Sequence, residues 1–335
     1  MNDDYVTENW NETETEREPE TRTDGGESVA VAPETRQRSG ESPGGPDGPG
    51  RSGESERSGC EFAGEELVIG YSSGEEPVID GETLRVEPGE VTALVGPNGS
   101  GKSTLLKGLA DQLSIRNGRV LLDGDDVYSL SAKELAKRLG LLSQENVSPN
   151  SIPVEKLVEH GRYPHRGFFD SLTDEDREAI DRAISLAGVD HLRDREVGSL
   201  SGGQKQLVWI AMVLAQETDV LLLDEPTTFL DLHHQLEVME IVETLRDESD
   251  ITVVVVLHDI DQAARYADHM VALKDGSIRA QGAPDEIVTE ELLADVFEIE
   301  AVVEPTAYGP QITPLHPLHD EHSHGSDTPR PGDGS

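Results

Sequence analysis

Three short stretches of the chain are mostly apolar and do not alternate: VTALV at 91–95, DVLLL at 219–223 and ITVVVVL at 251–257. A strand with one wet face alternates, whereas a run without alternation suits a strand buried on both faces, as in a largely parallel sheet. Helical patterns lie between these runs. STLLKGLADQL follows the first, and KQLVWIAMVLAQ precedes the second. In SLTDEDREAIDRAISLAG, Ile180, Ala183, Ile184 and Ala187 recur at helical spacing. Thr173 and Asp176 predict a capping box at its start, and Gly188 a stop. From about 145 to 205 helical signals dominate, which predicts a helical subdomain inserted into an α/β core. The ends differ. Residues 1–60 are rich in Glu, Thr, Gly, Pro and Ser and hold almost no large apolar side chains, so they are expected to be disordered. The same expectation covers 306–335, leaving 61–305 as one folded domain.

Charge narrows the partners. The 335 residues carry 68 acids against 27 bases, a formal charge of −41, and seven of the bases are lysine. Nucleic acid needs a basic face, so it is excluded as a partner. The first 60 residues hold 15 acids and 6 bases, so most of the excess lies further on. We hypothesise a protein adapted to concentrated salt, where screening relieves self-repulsion. Added KCl is then expected to raise its melting temperature, and full stability in dilute buffer would refute the idea. The single cysteine, Cys60, allows no internal disulfide and reads as a bystander in a linker. No apolar run is long enough to span a bilayer, and no signal peptide is visible.

The chemistry begins just after the first apolar run. In GPNGSGKST, residues Gly96, Gly101, Lys102 and Ser103 fit the phosphate-loop spacing. Pro97, Asn98, Gly99, Ser100 and Thr104 complete the segment. Glycines let backbone N–H groups curl around a phosphate, and the following helix aims its partly positive end at it. Lys102 suits the β- and γ-phosphates, and the Ser103 hydroxyl suits Mg2+. The second run ends in DEP. Asp224 would sit at the carboxyl end of a buried strand, where open α/β sheets bind ligands. It could hold magnesium through water, and Glu225 could accept a proton from an attacking water. A second glycine turn, LSGGQ at 200–204, opens a helix whose free N–H groups offer another anion site.

Taken in order, GPNGSGKST, LSGGQ, LLLDEP and LHD resemble the nucleotide-binding subunit of an ATP-binding cassette (ABC) transporter. The resemblance covers nearly all of 62–300. It implies a P-loop NTPase core with a largely parallel sheet, an antiparallel β subdomain and the helical insert. It also implies ATP and Mg2+ as ligands and a head-to-tail homodimer. Ser201, Gly202, Gly203 and Gln204 of one copy would then complete the site holding the other copy's ATP. By the same resemblance Gln144 touches magnesium and the attacking water, and Asp231 crosses the dimer interface. His258 contacts the γ-phosphate and Tyr71 stacks on adenine, while His233 and His234 are left as surface residues.

HGRYPHRGFFDSLTDEDREAIDRAI, TTFLDLHHQLEVMEIV and LHDIDQAARYADHMVALKDG are similar to the ATPases of ferric siderophore and cobalamin importers. That implies polytopic permease partners, an extracellular substrate-binding protein served indirectly, and a peripheral position on the cytoplasmic membrane face. Residues 144–170 would meet the permease, with Gly161, Arg162, Tyr163, Pro164 and His165 as docking candidates. Ferric siderophore, haem and cobalamin stay open as cargo. A soluble cassette ATPase or a pure nucleotide sensor are the alternatives. The tail brings His316, His319, His322 and His324 among acids, a candidate metal-binding tract.

Overall fold

The computed structural model describes residues 59–71, 76–144, 146, 151–167 and 170–318. In chain order the first elements are β1 (Phe62–Ile69), β2 (Ile79–Val86), β3 (Val91–Val95), α1 (Lys102–Leu109), β4 (Ile115–Leu122) and β5 (Asp125–Asp126). Next come α2 (Ala132–Arg138), β6 (Leu139–Leu142), α3 (Val154–Val158), α4 (Asp174–Leu186) and α5 (Gly202–Leu214). They are followed by β7 (Val220–Asp224), α6 (Leu232–Glu248), β8 (Thr252–Val256), α7 (Ile260–Tyr266), β9 (His269–Lys274) and β10 (Ser277–Gly282). The last are α8 (Pro284–Ile287), α9 (Glu290–Phe297), β11 (Ile299–Thr306) and β12 (Gly309–Pro317).

The three apolar runs become β3, β7 and β8, and all five residues of each are buried. They lie in a six-stranded sheet of order β10-β9-β3-β8-β7-β6. Its pairs are parallel except β9 with β10. Period-two alternation explains why no polar face interrupts the runs. Ala93, Leu221, Leu223, Val253 and Val255 pack with the helices, among them Ile184, Val208 and Met239. Leu94, Leu222, Val254 and Val256 pack on the other side with Leu105, Leu109, Phe62 and Ile69. That second layer combines α1 with an antiparallel sheet of order β2-β1-β4-β5.

The helical part begins with α3 and closes with α5. At α4 the expected capping box is present, Thr173 and Asp176 each satisfying the other's backbone. Ile180, Ala183, Ile184 and Ala187 are all buried, and Gly188 leaves the helix at φ 67°. Arg162, expected at a docking surface, is instead 3% exposed. Its Nε donates to Asp176 Oδ1 at 2.9 Å, and its Nη1 donates to Ala215 O at 2.9 Å and Glu217 Oε2 at 2.7 Å. Burial raises the Asp176 carboxyl, but hydrogen bonds from Thr173 and Arg162 outweigh it and hold the group down at about 2. Gly161 is buried too, since a Cβ there would lie 2.1 Å from Met212 O. Of the five candidates Tyr163 is exposed, stacked on His160 with ring centroids 4.8 Å apart.

Two further expectations change. Cys60 is not in a linker: it is 8% exposed and its carbonyl accepts a hydrogen bond from Thr252 Oγ1 at 3.2 Å. Burial and the neighbouring Asp123 push its thiol up to about 12. The chain past 305 is ordered as far as the β11–β12 hairpin reaches. Proline made that stretch read as coil, yet a two-stranded sheet consists of edges, where a missing N–H costs nothing. Pro305 and Pro310 face each other across it. The expected disordered leader lies outside the described residues, apart from its last two positions. His316 is on β12, whereas His319, His322 and His324 fall outside the described part.

Candidate nucleotide site

Parallel pairing places the exits of β3, β6, β7 and β8 at one edge of the sheet. Each of these exits carries candidate chemistry. The turn after β3 bends through Gly96 at φ 146° and Gly101 at φ 102°. A Cβ on Gly96 would sit 2.1 Å from Leu273 O, so both conformation and space require glycine. Gly101 caps α1 without a side-chain hydrogen bond, leaving the first N–H groups of the helix to a ligand. Lys102 lies under the turn and donates to Gly96 O at 2.8 Å and Pro97 O at 3.0 Å. Burial lowers its pKa, and Glu225 and Asp224 pull the other way.

A cleft of about 340 Å3 opens over this turn, lined by residues that include Asn98, Gly99, Lys102, Ser103, Thr104 and Glu225. Tyr71 stands at its rim, 62% exposed, with its hydroxyl 3.2 Å from Thr104 Oγ1. Ser103 donates to Asp224 Oδ1 at 2.8 Å. Among the described residues, Asp224 Oδ2 is buried without a partner, as is Ser100 Oγ. Burial raises the Asp224 pKa, with Ser103, Lys107 and Lys102 opposing. A carboxylate oxygen left bare beside a serine hydroxyl is the hard oxygen set that magnesium takes, so these residues fit the ion.

Glu225 follows at φ 52°, a left-handed conformation that is uncommon for a residue with a side chain. Its carboxylate gathers three side chains. His258 Nε2 lies 2.6 Å from Oε1, Gln144 donates to Oε2 at 2.6 Å, and Thr228 Oγ1 donates to Oε2 at 3.2 Å. Gln144 follows β6 and His258 follows β8, so the sheet order brings together groups far apart in sequence. The reading of the residues missed Thr228, although its place three residues after Glu225, in a turn closed by its own N–H, was a usable signal.

The second glycine turn stands apart from that cleft. Ser201 and Gln204 form a reciprocal capping box at the start of α5, each bond 3.2 Å long. Ser201 and Gly202 are exposed, and a Cβ on Gly202 would meet nothing within 4 Å. Gly203 is buried under the ring of His234, which is not the surface residue expected. Asp231 caps α6 and accepts from His234 N at 3.1 Å. Among the described residues no cluster of His, Cys, Asp and Glu is arranged to hold a metal alone, and no helix is long and apolar enough to cross a membrane.

Residues 79–228 match the family model described as ABC transporter. The ferric enterobactin transport ATP-binding protein FepC of Escherichia coli (strain K12) is 46% identical over 254 residues, covering 75% of this chain and 93% of that one. The cobalamin import ATP-binding protein BtuD of Halobacterium salinarum is 39% identical over 240 residues, covering 71% and 60%. The dimeric, post-hydrolysis structure of the cassette MJ0796 bound to ADP and Pi aligns with a TM-score of 0.58 at 28% identity. That alignment covers 66% of this chain and 98% of the cassette. On these matches the chain belongs to the ATP-binding, ATP-hydrolysing subunits of ABC transporters.

Proposed function

We propose that the chain energises import of a ferric siderophore through a membrane permease, working as a homodimer on the cytoplasmic face. The observation that carries the hydrolytic reading is the convergence of Gln144, Thr228 and His258 on Glu225 beside the phosphate turn. Lys102 and the N–H groups of 96–104 take the β- and γ-phosphates. Ser103 and Asp224, with Gln144, would hold Mg2+, whose charge would offset that of the phosphates. Glu225 is the base: its carboxylate takes a proton from the attacking water. Gln144 orients that water, and His258 brings its ring N–H to the γ-phosphate. Tyr71 stands where an adenine ring can stack.

Ser201, Gly202, Gly203, Gln204 and Asp231 serve the other copy's nucleotide. Ser201, Gly202 and Asp231 are exposed and none of them lines the cleft of its own chain, which supports this. Tyr163 is the exposed candidate for the permease contact within 144–170. The cargo reading rests on the names of relatives, which include enterobactin and iron(3+)-hydroxamate importers as well as cobalamin importers. Uptake by a deletion strain separates these: labelled ferric siderophore should depend on the chain, and dependence of cobalamin or haem alone would replace the cargo. Full-rate hydrolysis by a strictly monomeric preparation would refute the shared site.

A further inference from the structure

His234 sits between two parts of the chain that are distant in sequence. Its side chain is 21% exposed, against 78% for its neighbour His233. The ring covers the Cα of Gly203, so that a Cβ there would lie 2.3 Å from its Cγ and Cδ2. The same ring holds Asp231, with Nδ1 2.9 Å from Oδ1. Carboxylate oxygen only accepts, so the proton is on Nδ1. Asp231 Oδ1 therefore takes both the His234 backbone N–H and its side chain. One imidazole thus joins the start of α5 to the start of α6.

We propose that His234 is a positioning residue that fixes the spacing between the 201–204 turn and Asp231, the two contacts that each copy extends to its twin. This rests on the paired-cassette reading above. The wedge at Gly203 sets one end, and the charged hydrogen bond to Asp231 sets the other. Neither touches the turn at 96–104 or Glu225, so the grip of a copy on its own nucleotide is independent of His234. The requirement is for both a flat ring and an Nδ1 donor, which explains why the position is neither a plain surface residue nor an aliphatic core residue.

The test uses the full chain carrying Glu225→Gln, with ATP-driven dimerisation followed by sedimentation, and fluorescent ATP analogue binding followed separately. Adding His234→Phe, which keeps a ring against Gly203 and lacks the donor, should raise the ATP needed for half-dimerisation about tenfold, with analogue affinity unchanged. His234→Asn, whose amide can replace the Nδ1 donor, should recover part of that loss. In the otherwise unaltered chain His234→Phe should lower kcat with little change in KM. Dimerisation of the Phe variant at the parent's ATP concentration would overturn the inference alone. Failure of the Glu225→Gln parent to dimerise with ATP would overturn the pairing, and the inference with it.

Discussion

Gly96 and Gly202, one from each glycine turn, use the same residue for opposite purposes. At 96–104 glycine relieves crowding inside the chain: Gly96 abuts Leu273 O, Ser100, Lys102 and Thr104 are buried, and a bare Asp224 oxygen waits beside Ser103. At 200–204 the turn is already satisfied by its own capping box, and Gly202 faces open space. Nothing inside one copy requires glycine at 202. On the proposed reading, the first turn is finished by a small ligand and the second by another copy of the chain.

The largest effect expected from breaking the first turn's chemistry is in Glu225→Gln, which should lower turnover about a thousandfold while nucleotide still binds. Stopped-flow phosphate release would measure it, and a near-normal rate would remove Glu225 as the base. Next is Arg162→Met. It strands the buried Asp176 charge and frees Ala215 O at the far end of α5, so denaturant titration should show a loss of about 3 kcal/mol. The pH dependence has a definite sign. Asp176 is depressed from 3.8 to about 2 in the fold, so its contribution is full above pH 4 and disappears as pH falls toward 2. The wild-type and Arg162→Met stability curves should draw together across that window.

Gly96→Ala should cost about 2 kcal/mol, because φ 146° and the Leu273 carbonyl both oppose a Cβ. Thr228→Val should lower kcat about tenfold, since a donor to the carboxylate is lost. Thr228→Ser should restore it. Gly202→Ala sharpens the comparison most: stability should change by less than about 0.5 kcal/mol, yet ATP-driven dimerisation should weaken. Equal stability losses at Gly96 and Gly202 would erase the distinction between the turns.

What was legible follows from how each region is buried. β3, β7 and β8 announced themselves because both their faces are covered. β4 did not, since its first five residues are partly or fully exposed, and β1 carries register shifts that blur alternation. The hairpin hid behind its prolines. The phosphate turn was readable because its residues are contiguous. The meeting of Gln144 and Glu225 spans 81 residues and was available only through resemblance. His234 escaped because its partners, Gly203 and Asp231, are joined to it through space, and a histidine beside a histidine on a polar helix looks like surface. Arg162 was misplaced for the converse reason: an arginine in a loop-like segment rarely reads as core.

The β11–β12 hairpin is bolted to α7, the helix that begins two residues after His258. Ile312 donates its N–H to Asp261 Oδ1 at 2.9 Å, and Gly309 lies so close that a Cβ would meet Ala264 O at 2.7 Å. Proteolytic clipping anywhere between 299 and 317 would therefore loosen the helix next to the reaction centre, although the cut falls far from it in sequence. Trimming meant to probe the histidine tract has to begin after 318, and an affinity tag is safest beyond that same residue.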